Sequence, residues 1–196
     1  HAVTMKPVLY GGLIARLQQV PAVVHAITGL GYLFLIDGLL ARLQRASVMA
    51  LYRIALGHPN MRAIFQNPDD QGLFLRNRLV RPETVVMIRG CGVDMGEFPF
   101  TPEPPGPPLV VFPARIIGDK GVREFVEAAR ILKREGTQAT FRLVGRTDPD
   151  NPTDVGEVTV REWEGEGVVE WKGFSSEMPV ELALAHIVCM PSYREG

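Results

Sequence analysis

"LVVFPARIIGDKGVREF", residues 109–125, changes character in its middle. The apolar run at 109–112 reads as a buried strand, and Pro113 ends it. Gly118 and Asp119 form a short turn between Arg115 and Lys120. From Gly121 onward, Phe125, Ala128, Ala129 and Leu132 fall on one face of a helix. A strand therefore hands over to a helix across a turn bracketed by two cations. The first turn of a helix carries unpaired N–H groups and the positive end of its dipole, so this turn suits a phosphate. A guanidinium bonds two oxygens at once and an ammonium adds a point charge, which makes a diphosphate the best fit. The competing reading is that Arg115 and Lys120 are solvated loop charges, the common fate of such residues.

The alternation continues downstream. "TFRLVG" (140–145), "VVEWKG" (168–173) and "IVCMP" (187–191) read as strands, with helices expected over 122–135, 158–166 and 180–185. Strands alternating with helices predict a parallel α/β sheet. Open parallel sheets bind ligands beyond the carboxyl ends of their strands. Arg115, Lys120, Gly145, Gly173 and Glu195 all follow strand exits, so they should border one crevice. Each also has a plainer reading: strand-end glycines, and a carboxylate placed to cap a helix.

Upstream, "PFTPEPPGPP" (99–108) holds six prolines in ten residues, too many for a helix interior or a central strand. It reads as a stiff linker between residues 1–98 and 109–196. In the first part Gly11 and Gly12 precede a short helical pattern at 13–17. "PAVVHAIT" (21–28), "MRAIFQN" (61–67) and "TVVMIRG" (84–90) read as strands, and Asn67-Pro68-Asp69-Asp70 should cap a helix running through Leu79. This part reads as an unfinished domain, with Val24, Leu30 and Phe34 expected to be exposed. The chain ends at "PSYREG" with no helix after its last strand, so it reads as a fragment cut at both ends.

The apolar region 27–56 is interrupted by Asp37, Arg42, Arg45 and Arg53, which excludes a membrane span. Its arginines alternate with Leu39, Leu40, Leu43, Val48, Leu51 and Tyr52 in a helical pattern. Two readings stay open: a core-packed helix with a solvated face, or a basic amphipathic helix lying on a membrane surface.

Composition narrows the class. With 21 basic and 22 acidic residues and no basic tract, no nucleic-acid partner is expected. Two cysteines, Cys91 and Cys189, are too few for a disulfide framework or a zinc site, and they suit a cytoplasmic setting. His1, His25, His58 and His186 lack metal spacing. There is no G-x-G-x-x-G after a strand, no phosphate-binding G-x-x-x-x-G-K-[ST] loop and no G-x-S-x-G elbow.

"PARIIGDKGVREFVEAARILKREGTQATFRLVG", with "VEWKGF" and "PSYREG", resembles the donor-binding domain of family 4 glycosyltransferases. These are retaining enzymes with two Rossmann-like domains (GT-B type). "KPVLYGG", "ITGLGYLF", "IFQNPDD" and "IRGCGVDMGEF" are similar to the acceptor-side domain of a bacterial subgroup that builds lipid-linked cell-surface polysaccharide. The resemblance implies an α/β fold of two Rossmann-like domains, each partly present: acceptor-side over 1–98, a linker at 99–108, donor-binding over 109–196. It implies that Arg115 and Lys120 hold the donor diphosphate. It places Glu195 as the first, catalytic acid of a paired-glutamate motif, and Gly145, Gly173 and Phe174 beside the base and donor. The partners implied are a nucleotide-sugar donor, most simply UDP-linked, and a lipid-linked or saccharide acceptor. No metal or other cofactor is implied. The setting implied is cytoplasmic, with peripheral association at the inner face of the membrane.

Two other readings compete. One is a non-catalytic nucleotide or phosphosugar binding module on the same scaffold, and the other a sugar-phosphate phosphorylase or epimerase. A second glutamate eight residues beyond Glu195 would favour the transferase. The 196-residue chain by itself is expected to be inactive.

Overall fold

The computed structural model describes residues 1–29, 38–90, 92–193 and 195. Leu30, Phe34, Asp37 and Cys91, named above, lie outside the described residues. The chain divides into two compact units, His1–Gly92 and Val93–Glu195.

In the first unit, strands β1 (Ala2–Val3), β2 (Val23–Ile27), β3 (Met61–Phe65) and β4 (Val85–Met87) pair in parallel in that order. Helices α1 (Met5–Leu17), α2 (Leu39–Ala55) and α3 (Pro68–Arg76) connect them. The core gathers Val8, Ile27, Tyr52, Met61, Phe65 and Phe74. Phe74 meets Tyr52 and Phe65 edge-on, at centroid distances of 4.9 and 5.2 Å.

The helical pattern expected at 13–17 begins at Met5, and Gly11 and Gly12 lie inside the helix rather than before it. The reason is packing against α2. A Cβ on Gly12 would fall 2.8 Å from the Ala55 carbonyl oxygen and 2.9 Å from its Cβ. Close approach of the two helices thus outweighs the roughly 1 kcal/mol that a mid-helix glycine costs. α3 is capped as expected, Asn67 Oδ1 accepting the Asp70 N–H at 2.8 Å. It stops at Arg76 rather than Leu79. Arg78 turns left-handed (φ 53°), and the Leu79 N–H returns to the Phe74 carbonyl at 2.9 Å, which drops Leu79 into the core. β4 is shorter than the expected 84–90: a 3₁₀ turn, Pro82–Thr84, with the Thr84 hydroxyl on the Arg81 carbonyl at 2.7 Å, sets its start at Val85, and the strand ends at Met87.

α2 buries Ala41, Tyr52 and Ala55, so it is core-packed. Its outer face is not polar, however. Leu39, Leu40, Leu43, Leu51 and Ile54 are exposed there, beside exposed Arg42 and Arg53. Val24 is half-buried rather than exposed. Among the described residues, no helix is long and apolar enough to cross a membrane.

In the second unit, β5 (Leu109–Phe112), β6 (Thr140–Val144), β7 (Glu170–Gly173) and β8 (Ile187–Val188) form a parallel sheet in the order β7-β6-β5-β8. Helices α4 (Val122–Arg134), α5 (Glu157–Gly165) and α6 (Met178–Ala183) alternate with them. α4 buries Val122, Phe125, Val126 and Ala129 against Phe112, Phe141 and Leu143, in a core shared with Val160 and Trp163 of α5. The last strand is shorter than the expected 187–191. Cys189 still donates to the Val111 carbonyl at 2.9 Å, but Pro191 has no N–H to extend the ladder. α6 starts at Met178, two residues ahead of the expected Val180, with proline in its first turn. From β5 the chain steps outward to β6 and β7, then returns past β5 to β8. The strand order therefore reverses between β5 and β8, and such a reversal opens a ligand crevice at the carboxyl edge.

Candidate functional site

The exit of β5 is held from below. Ile116 and Ile117 are buried, pinning the turn so that Arg115 and Lys120 stay at the sheet edge. A 3₁₀ turn, Gly118–Lys120, leads into Gly121, whose left-handed conformation (φ 74°) starts α4. A Cβ on Gly121 would lie 2.1 Å from the Pro191 carbonyl oxygen. Only glycine allows the segment leaving β8 to cross the start of α4 this closely.

Two further bonds hold that segment. The Tyr193 N–H donates to the Asp119 carbonyl at 3.1 Å, and the Tyr193 hydroxyl donates to the Glu124 carboxylate. That bond to Glu124 raises the Tyr193 pKa. Glu195 is thereby brought to Lys120, whose Nζ lies 2.6 Å from Oε1 and 2.8 Å from Oε2. Burial acts to raise the Glu195 pKa, but hydrogen bonds from Lys120 and Ser192, with the charge of Lys120, outweigh it, and the carboxyl sits below its ordinary value.

The neighbouring exits join the same edge. A Cβ on Gly145 would meet the Ala114 carbonyl oxygen at 1.9 Å, so the β5 and β6 exits touch. The Gly145 carbonyl accepts from Trp171 Nε1 at 2.9 Å, and the Gly145 N–H donates to Gly173 at 2.8 Å. Beyond Gly173, Phe174 is exposed, with the Arg146 guanidinium 5.8 Å from its ring centre.

Arg115, Lys120, Gly145, Gly173, Phe174 and Glu195 thus all follow strand ends at one edge, and Lys120 and Glu195 are in direct contact. The two cations are not simply open to solvent. Lys120 is paired with Glu195, and Arg115 Nη1 lies 2.6 Å from Asp148 Oδ2. Sequence reading missed Asp148, and also the Tyr193–Glu124 bond. The signal for Asp148 was its place in "RTDPDNPTDV", directly after a strand exit, but spacing alone does not show which acid of that loop turns inward. Among the described residues, no group of three His, Cys, Asp or Glu is arranged to hold a metal ion.

A parallel sheet with a strand-order reversal, and with cations, a helix start and a carboxylate gathered there, is the arrangement of a Rossmann-like domain. Residues 107–196 match the family described as "Glycosyl transferases group 1". The chain is 28% identical over 200 residues to an N,N'-diacetylbacillosaminyl-diphospho-undecaprenol alpha-1,3-N-acetylgalactosaminyltransferase of Campylobacter jejuni, covering 95% of this chain and 50% of that protein. It is also similar to the crystal structure of Anabaena Alr3699/HepE in complex with UDP, with a TM-score of 0.70 and 16% identity over 99% of this chain and 54% of that one. Sucrose-phosphate synthase from Thermosynechococcus elongatus gives a TM-score of 0.70 at 21% identity, over 95% of this chain and 49% of that one. WaaG, a glycosyltransferase involved in lipopolysaccharide biosynthesis, gives 0.69 at 16% identity, over 95% and 58%. The chain spans about half the length of these relatives. The second unit is thus similar to group 1 glycosyltransferase domains over residues 107–196, and the chain shares the α/β fold of these solved glycosyltransferase structures.

Proposed function

We propose that the parent protein is a retaining glycosyltransferase that moves a hexose or N-acetylhexosamine from a UDP-linked donor to a lipid-linked saccharide in cell-surface polysaccharide synthesis. In this reading residues 1–98 belong to the acceptor side, 99–108 are the linker, and 109–196 bind the donor. The observation that carries it is the meeting of Lys120 and Glu195 at the reversal between β5 and β8. Arg115 and Lys120 take the donor diphosphate, Gly145, Gly173 and Phe174 line its nucleoside, and Glu195 reaches the sugar.

Breaking the sugar–phosphate bond leaves negative charge on the departing diphosphate and positive character on the sugar. Fixed cations at a helix start stabilise the first without reorganising, and a carboxylate beside the sugar stabilises the second. No metal is needed for that charge balance. The acceptor hydroxyl attacks from the face the leaving group departs.

A peripheral position at the cytoplasmic membrane face belongs to the same reading. Its support is the exposed apolar face of α2 beside Arg42 and Arg53, which suits an anionic lipid surface. The relative from Campylobacter carries a diphospho-undecaprenol acceptor in its name, which supports a lipid-linked acceptor.

A radiolabelled-donor assay on the full-length parent tests the reading. Transfer of label to a lipid-linked acceptor is expected, and its loss in Glu195→Gln. Undiminished transfer in that variant would remove Glu195 from the chemistry.

A further inference from the structure

We infer that Asp148 sets the donor affinity of this site: it holds Arg115 as a built-in competing anion, and the donor diphosphate takes the guanidinium from it by exchange of ion-pair partners. The inference rests on the reading of Arg115 as a diphosphate ligand.

Asp148 is delivered to Arg115 by a folded loop. Its N–H donates to Asp154 Oδ1 at 2.9 Å, and its carbonyl accepts the Asn151 N–H at 2.8 Å. The Asn151 side-chain oxygen accepts from both the N–H and the hydroxyl of Thr153, each at 2.9 Å. The loop is then tied to the turn after β5: the Gly118 N–H donates to the Thr153 carbonyl at 2.7 Å, and Ile117 bridges Asp154. Arg115 and Asp148 therefore belong to two strand exits locked together by backbone bonds, which keep the two side chains within reach of one another, and they meet at 2.6 Å.

The pair lies at the water edge, with side chains 52% and 27% exposed. A pair in that setting contributes little to stability, so opening it is easy. A diphosphate brings more negative charge than one carboxylate and accepts a two-pronged guanidinium, so it displaces Asp148. Asp148 thus weakens the binding of every anion at Arg115, and ligands with a single charge suffer most.

Calorimetry with UDP tests this on the 196-residue chain and its variants, with circular dichroism confirming the fold. Asp148→Asn should tighten UDP binding about three- to tenfold, the range expected when an exposed competing charge is removed. Asp148→Ser should do the same. Asp150→Asn removes an equal charge from the same loop and should change affinity less than about twofold, and Asp148→Asn placed on Arg115→Ala should show no gain. Unchanged or weaker binding by both Asp148 variants, while Arg115→Ala weakens the parent, overturns the competitor role alone. An equal gain from Asp150→Asn, or a gain that survives Arg115→Ala, reduces it to general charge and overturns the exchange. If neither parent nor variants bind UDP, or Arg115→Ala has no effect, the diphosphate reading fails and this inference fails with it.

Discussion

Lys120 Nζ donates to both carboxylate oxygens of Glu195, at 2.6 and 2.8 Å, across 75 residues of chain. The contact joins the exit of β5 to that of β8, so it marks the place where the strand order turns back. Each partner meets the charge that the proposed reaction creates. In the proposed reaction the ammonium would face the leaving phosphate and the carboxylate the sugar. In the full-length parent, Lys120→Ala should therefore lower kcat about 100-fold or more, with a smaller change in KM, since its partner gains charge only as the bond breaks. Steady-state kinetics with a UDP-sugar would read this out. Equal kcat in variant and parent would make Lys120 an ordinary loop residue.

Gly121 should be intolerant of any side chain. Its φ of 74° disfavours an L residue, and a Cβ would run into the Pro191 carbonyl oxygen. Gly121→Ala should lower unfolding free energy by about 2 kcal/mol, combining left-handed strain with displacement of the crossing segment. Urea unfolding measures the loss. Gly136→Ala, also at positive φ (83°) but with open space around it, should lose only the strain component.

His25 makes stability depend on pH. Neither ring nitrogen finds a hydrogen-bond partner among the described residues, the side chain is fully buried, and burial lowers its pKa to about 4. In the unfolded chain it titrates near the ordinary histidine value of 6.5. Between those values the unfolded state binds the proton and the folded state does not. The contribution is therefore complete above pH 6.5, falls as pH drops toward 4, and levels off below. The loss across that window is on the order of 3 kcal/mol. Urea midpoints at pH 7.5 and pH 4.5 should separate clearly in the parent and less so in His25→Leu. An unchanged separation would assign the pH dependence to other groups.

The outer face of α2 should bind anionic lipid. Vesicles containing phosphatidylglycerol should sediment the parent chain, and neutral phosphatidylcholine vesicles should not. Leu40→Asp with Leu43→Asp should abolish sedimentation without unfolding, since both side chains are exposed. Sedimentation by the double variant equal to the parent would remove α2 from any membrane role.

Sequence alone showed most of the second sheet, because its apolar runs are bounded by glycine or proline and its helices keep a clean apolar face. Phe125 and Ala129 could be placed in the core from spacing, and they are there, but Ala128 and Leu132, read onto the same face, are exposed, and Val122 and Val126 are buried in their stead. The strand exits followed from the strands. The first unit was less readable where packing overrode local preference. Gly12 looked like a helix boundary because its close contact with Ala55 lies far away in sequence. Leu79 looked helical because the left-handed turn at Arg78 leaves no mark in hydrophobic spacing. Asp148 shows the same limit in the site: a loop folded on its own Asn151, Thr153 and Asp154 chooses the acid that reaches Arg115.

The central claim is that the turn between β5 and α4 is a diphosphate site. Calorimetry of the 196-residue chain with UDP, for the parent and for Lys120→Ala, tests it most directly. The account predicts weak but measurable binding by the parent, and binding at least about tenfold weaker in the variant, as loss of one charge-assisted hydrogen bond requires. Both chains should give the same circular dichroism spectrum. Equal affinities, or no binding by a folded parent at millimolar UDP, would contradict it.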